Sequence, residues 1–368
     1  MNKVARYNNI DLMKFLGMLF VVIYHSTTVK CNILDNSSIY TYINYLVRPI
    51  LSTCVPIFFF CNGFLLIQKK FDLKQHIIKM IRLTLLTGIW GVIALLFLMP
   101  IKGEWFSLKE FIVSLLTWKQ GWINYLWFMG ALVCVYIVFP LIKSTFDYNK
   151  NIFNYCLVIC MIFVFGNVLL CMIATAVKWY RNGGGEYVSY NFFNMFNPFR
   201  GIYGFAFAYF GIGCFFGGNQ KIIQERINKC KLLNGCSITF CLLVSALLLG
   251  GWGVLSTKCT GEFWDVVWNG YDTIFTLINV LAIYVLCVQY NYVGGKLNRF
   301  IRIVSQNTLG IYFVHYILIH VFNKYGIKEL AFAQNYLFNV LYAVIVMVLS
   351  LCIVLLLKHI PIFKKLVM

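Results

Sequence analysis

Residues 8–26 read NNIDLMKFLGMLFVVIYHS, a hydrophobic stretch long enough to cross a bilayer that nevertheless carries Asp11, Lys14 and His25. A helix turns about 100° per residue, so the eleven steps from Lys14 to His25 leave a net offset of roughly 20°. The fourteen steps from Asp11 leave about 40° to the other side. All three polar groups therefore share one face. A charge at bilayer depth costs on the order of 2.5–3.5 kcal/mol even on lenient insertion scales. That face must point into a bundle interior or a watery cavity. An intramembrane His with Lys and Asp on its face favours a functional site over a structural polar cluster.

Composition outside this stretch sets the class. Hydrophobic residues make up 61% of the chain and charged residues only 12%, with a mean hydropathy of +0.79. Soluble domains sit near 45–50% apolar and about 25% charged. The chain is expected to be an all-α, polytopic membrane protein. Ten hydrophobic spans are expected, at about 10–29, 44–67, 81–100, 122–142, 152–175, 199–218, 233–256, 271–290, 304–323 and 335–357. No small-residue cleavage site follows the first span, which reads as a retained anchor. No hydrophilic stretch is long enough for a soluble second domain, so residues 1–368 are expected to form one membrane domain.

The net charge of +19 is distributed as a topology signal and not as a nucleic-acid groove, so no nucleic-acid partner is expected. The N-terminus, alternate loops and the C-terminal tail hold nineteen Lys and Arg against three acids; the opposite loops hold nine against eight. Both termini are then expected on the cytoplasmic side, in keeping with an even number of spans. His25 falls toward the outer end of the first helix, with Lys14 about 16 Å nearer the cytoplasm.

Within the second span, Pro56 and Gly63 signal a kink or a close helix approach. The sixth, RGIYGFAFAYFGIGCFFGG, has glycines suited to tight packing. The outer loop 176–197 offers Trp179, Tyr180, Arg181, Gly183-Gly184-Gly185, Tyr187 and Tyr190, the residue types of a sugar-binding surface or an interfacial aromatic belt. His315 and His320, five residues apart, lie about 140° apart on their helix, which argues against a paired metal site. No CxxC or Cys/His ligand spacing occurs among fourteen cysteines, so no metal is expected. A bond between the loop residues Cys31 and Cys259 stays open.

Several of these segments resemble the acyltransferase-3 family of integral membrane acyltransferases, which acylate cell-surface glycans. The family's first helix carries a basic residue, ten positions and then His, as Lys14 and His25 do here. VPIFFFCNGFLL (55–66), LWFMGALVCVYIVFP (126–140), FRGIYGFAFAYFGIG (199–213) and LGIYFVHYILI (309–319) resemble the second, fourth, sixth and ninth spans. Asn62 stands where the family commonly has Ser. Many relatives carry an added esterase-like domain, and none is expected within residues 1–368.

The resemblance implies O-acylation, acetylation above all, in a bacterial plasma (inner) membrane. Acyl-CoA (acetyl-CoA) would serve as co-substrate with no permanently bound cofactor, and a glycan or lipid-linked sugar would be the acceptor among membrane lipids. His25 and Lys14 become the catalytic candidates. Asp11, Arg48, Asn62, Trp127, Arg200 and His315 are candidate substrate contacts, and Lys69, Lys70 and Lys74 would attract the donor's phosphates. Asp11 is expected to pair with Lys14, three residues on, and not to orient His25 about 21 Å away. The competing expectation is a transporter or flippase of glycan or lipid-linked intermediates, which would spread polar residues over several helices and show inverted repeats. Ionisable groups here concentrate in the first span.

Overall fold

A computed structural model describes residues 6–117, 121–190, 195, 203–290, 292, 294–364 and 366–367. Among them the regular structure is all helical. Helix α1 is Asn8–His25, α2 Ile39–Leu46, α3 Cys54–Ile67, α4 Leu73–Lys102, α5 Leu108–Thr117 and α6 Trp127–Tyr148. Then follow α7 Lys150–Met161, α8 Asn167–Asn182, α9 Gly204–Gly218, α10 Gln220–Lys229 and α11 Gly235–Thr260. Helices α12 Ile274–Gln289, α13 Lys296–Lys324, α14 Tyr336–His359 and the short α15 Pro361–Lys364 complete the order.

Each expected span overlaps helix among the described residues, and residues 199–202, which open the sixth, lie outside them. Six helical runs among the described residues are long and apolar enough to cross a membrane: Ile39–Ile67, Leu73–Lys102, Asn124–Tyr148, Lys150–Asn182, Gly235–Thr260 and Tyr336–His359. Two shorter apolar helices are Gly204–Gly218 and Ile274–Gln289. The chain is thus an all-α integral membrane protein.

Three expected segments differ in detail. The span at 44–67 is built in pieces, α2, a 3-10 segment Arg48–Thr53 and α3. Pro49 lies in the first turn of the 3-10 segment and Pro56 in the first turn of α3, where a missing N–H costs nothing. The fifth span runs through a π-turn, Ile162–Gly166, into α8. Trp179, Tyr180 and Arg181, expected in a loop, therefore sit on the last turn of α8, which Gly183 ends in the left-handed conformation (φ 72°). The ninth helix begins at Lys296, so Lys296, Arg299 and Arg302 belong to α13 and not to a loop.

The chain divides into two compact units. The first comprises Met1–Phe20, Lys30–Lys69 and Ile142–Arg302. Its centre is the α3–α9 pair. A methyl group on Gly63 would overlap the carbonyl oxygen of Phe210, and one on Gly213 would overlap that of Phe60. The two backbones touch because neither helix has a side chain at the crossing, the packing that small residues permit in membranes. Gly17 likewise lets α3 approach α1, with its missing Cβ only 3.0 Å from Ile57 Cγ2. Beside them Ser52 and Thr276 share a buried hydrogen bond of 2.6 Å, and Tyr209 donates to the carbonyl of Tyr271 at 3.0 Å. Lys143 was expected in a loop. It is buried, and its Nζ donates to the carbonyl of Ile67 (2.9 Å) at the end of α3 and to Asp147 (2.8 Å). One cation thus satisfies a helix-end carbonyl and neutralises an acid.

The second unit comprises Val21–Val29, Lys70–Leu141 and Ile303–Met368. Trp90 of α4 stacks on Phe313 of α13 at 5.1 Å and 3°, and its indole N–H donates to the carbonyl of Leu366 at 2.9 Å. Gly310 of α13 faces Val354 of α14, where a Cβ would meet its methyl groups at 2.8 Å. Buried His76 pairs its Nε2 with the carbonyl oxygen of Tyr136 at 2.8 Å. Outside the spans, Ser107 and Glu110 form a capping box on α5: the Ser107 N–H and hydroxyl both donate to the Glu110 carboxylate at 2.8 Å. Those bonds hold the exposed carboxyl below its ordinary pKa.

Candidate active site

His25 is the last residue of α1, and the three residues after it are tied down closely. The Ser26 N–H donates to the Val22 carbonyl at 2.8 Å, and the Thr27 hydroxyl donates to the Tyr24 carbonyl at 2.8 Å. The Thr28 hydroxyl reaches the Ala333 carbonyl at 2.6 Å, while Asn339 of α14 donates its amide to the Ser26 carbonyl at 3.0 Å. The carbonyls of Val22, Tyr24 and Ser26 at the helix end are thereby used. The imidazole of His25 is held at a fixed height against α13.

Around that ring the second unit builds an aromatic cluster. Tyr24 meets His25 edge-on at 5.2 Å and Tyr316 meets it at 5.5 Å and 89°. His315 lies 5.4 Å away, tilted by 52°. Tyr125 stacks on Tyr316 at 4.4 Å and 16°, and His320 packs edge-on against Tyr316 at 4.7 Å. Two tyrosine hydroxyls strap the 3-10 turn Asn124–Leu126 to α13: Tyr312 donates to the Tyr125 carbonyl, and Tyr125 donates to the Phe313 carbonyl at 3.3 Å. His315 is completely buried, whereas His25 is half-buried. The pair thus combines a fully buried imidazole with a partly exposed one. A neutral imidazole in such a place can accept a proton from a hydroxyl or take an acyl group on nitrogen.

Lys14 belongs to the first unit. It is half-buried, and Asp11 and Cys61 are among its electrostatic neighbours. The Asp11 carboxylate also holds Arg6 at 2.6 Å, a partner the sequence did not single out. Asn62 donates its side-chain amide to the Phe58 carbonyl one turn back, at 2.8 Å. A cavity of about 70 Å³ opens beside Asp11, lined also by Asn8, Tyr292, Asn298 and Arg302.

Arg48 is buried, unlike a cation snorkelling to headgroups. Its Nη2 lies 3.6 Å from Asp265 and its Nη1 donates to the Cys31 sulfur at 3.1 Å. Cys31 and Cys259, left open as a bond, are both free thiols. Burial pushes the Cys31 thiol up, with Asp265 adding to the rise and Arg48 opposing it. Trp127 opens α6 beside the strapped turn and is half-buried. Lys69, Lys70 and Lys74 are all exposed. Arg200 lies outside the described residues.

The structure therefore joins two sequence candidates, His25 and His315, that had been assigned separate roles. It adds Tyr125 and Tyr316, which the sequence reading passed over. Tyr312, His315 and Tyr316 stand at i, i+3 and i+4 on α13, a spacing that marks one helix face.

A family model described as an acyltransferase domain, that of acyltransferase-3, matches residues 7–359. The chain belongs to the acyltransferase-3 family and is a membrane acyltransferase. No curated protein and no solved structure matches it.

Proposed function

We propose that this acyltransferase moves an acyl group, acetyl in the first instance, from acyl-CoA to a hydroxyl of a cell-surface glycan or lipid-linked sugar. In this reading the protein sits in a bacterial plasma membrane with both termini cytoplasmic, and CoA comes and goes as co-substrate with no resident cofactor. The observation that carries it is the half-buried His25 imidazole, fixed at the end of α1 among His315, Tyr24 and Tyr316.

In the base form of the reaction, His25 takes the proton of the acceptor hydroxyl as its oxygen attacks the thioester carbonyl. The C–S bond breaks, and the departing thiolate receives the proton from His25. In the carrier form, a His25 nitrogen first accepts the acyl group from the thioester and then yields it to the hydroxyl. Lys14 supplies positive charge nearer the donor, and Lys69, Lys70 and Lys74 attract the CoA phosphates. Asp11, Asn62, Trp127, Arg48 and Arg200 remain proposed contacts of donor or acceptor.

The test is transfer from radiolabelled acetyl-CoA by purified protein in proteoliposomes, with donor and glycan acceptor supplied on opposite sides. Label appearing in the acceptor supports the reading. Flux of unmodified acceptor without transfer of label would establish a transporter instead.

A further inference from the structure

We propose that His315 is the positioning residue for His25, accepting a hydrogen bond from its imidazole and so fixing which nitrogen faces the acceptor hydroxyl. The inference rests on the reading that His25 carries the transfer.

The tautomer of His315 follows from its surroundings. Its Nδ1 lies 3.1 Å from the Ile311 carbonyl oxygen. A carbonyl can only accept, so Nδ1 must carry the hydrogen. In the neutral ring Nε2 is then a bare lone pair. That atom is buried and makes no hydrogen bond among the described residues, in a side chain that is 0% exposed.

Two of its three tyrosine neighbours have their hydroxyls engaged elsewhere, and the third, Tyr316, follows it in the chain with its ring centroid 6.4 Å away. The Tyr312 hydroxyl is engaged with the Tyr125 carbonyl, and the Tyr125 hydroxyl with the Phe313 carbonyl. His25 is the neighbouring ring that can present an N–H. At a centroid separation of 5.4 Å, nitrogens turned toward one another come within about 3 Å, which is hydrogen-bond range. The pairing requires the half-buried His25 ring to turn about χ2, a broad torsion, until one of its nitrogens faces His315 Nε2.

The consequence is chemical. With one His25 N–H directed to His315 Nε2, the other His25 nitrogen is left unprotonated and aimed away from the pair. When that nitrogen takes the hydroxyl proton, the imidazolium that forms keeps a hydrogen-bond acceptor at its other end. No proton passes to His315; it returns from His25 to the departing thiolate. A carboxylate plays this orienting part in hydrolase triads. Here a second imidazole, locked by its own helix, does so without adding a charge to the membrane interior.

The experiment uses the full chain in proteoliposomes with acetyl-CoA and the glycan acceptor, comparing wild type with His315→Phe and His315→Gln. Phe keeps an aromatic ring and removes the lone pair; Gln places an amide oxygen near the position of Nε2. Turnover should fall on the order of 10²-fold in the Phe variant, with KM for both substrates within about two-fold, and Gln should restore a large part of it. Full turnover in His315→Phe, or Gln no better than Phe in folded protein, overturns the proposal.

A second measurement does not depend on activity or on the Phe and Gln variants folding. The chain has five histidines, so ¹⁵N-histidine spectra of the wild type and of His25→Ala are tractable. His315 should show a protonated Nδ1 and a hydrogen-bonded, unprotonated Nε2 whose shift changes when His25 is removed. A protonated Nε2, or one indifferent to His25→Ala, overturns the pairing. Absence of transfer by wild type together with the expected spectra would fault the functional reading and leave the pairing standing.

Discussion

The imidazoles of His25 and His315 stand 5.4 Å apart although 290 positions separate them in the chain. One closes α1 and is partly exposed; the other is buried in α13 with its Nδ1 committed to its own helix. If His25 performs the chemistry, His25→Ala should lower turnover by ~10²–10⁴-fold when it acts as a base, and abolish transfer when it carries the acyl group. The variant should still insert and purify, because the ties of residues 26–28 to Ala333 and Asn339 do not involve the ring. Wild-type activity in a well-folded His25→Ala protein would end this assignment.

Lys14 should depend on charge. Its half-buried position makes it a cation inside a bundle, with Cys61 and Asp11, whose carboxylate binds Arg6, among its electrostatic neighbours. Lys14→Arg should retain roughly a tenth of wild-type turnover or more, since charge survives while geometry changes. Lys14→Ala should lose most of it. A purely structural role reverses the pattern, with Lys14→Ala damaging expression and thermal stability while surviving protein turns over normally.

The membrane class and helix placement were legible because apolar periodicity and span length are properties of the sequence alone. Close approach at Gly63 was legible for the same reason, as a gap in side-chain volume. The partnership of His25 with His315 was not, because it depends on how distant helices rotate about their axes. Lys143 was read as a loop cation since charge counting cannot tell a solvated lysine from one that caps Ile67. The acid beside Arg48 was likewise hidden, 217 positions away at Asp265.

Natural thiols offer a test of the proposed sidedness. Cys230 is exposed just after α10, on the side proposed to be cytoplasmic. A membrane-impermeant maleimide should therefore leave it unlabelled in sealed cells and modify it once they are permeabilised. Cys31 lies in the first loop on the proposed outer side, and burial raises its pKa. A raised thiol pKa means less thiolate at neutral pH, so Cys31 should label slowly and speed up as pH rises. Labelling of Cys230 in sealed cells would invert the topology.

Exposed Lys69, Lys70 and Lys74 should act on donor binding and not on folding. Reversing all three to Glu should raise KM for acetyl-CoA several-fold at low salt, with turnover at saturation unchanged. The difference should shrink toward parity near 1 M salt, where the screening length is about 3 Å. An unchanged KM at every salt concentration would show that these lysines only set orientation in the membrane.

The α3–α9 crossing should be the least tolerant part of the first unit. At Gly213 a single methyl group would strike the Phe60 carbonyl, and backbone cannot rotate aside as a flexible side chain does. Gly213→Ala is expected to cost about 3 kcal/mol, and Gly213→Val more, because the helices must separate and lose contacts along the pair. Gly88 provides the control: a Cβ there meets nothing within 4 Å, so Gly88→Ala in the interior of α4 should be neutral or mildly stabilising. Thermal unfolding in detergent, with the three variants at equal concentration, reads the difference. A Gly213→Ala protein as stable as Gly88→Ala would mean that α3 and α9 do not meet backbone to backbone.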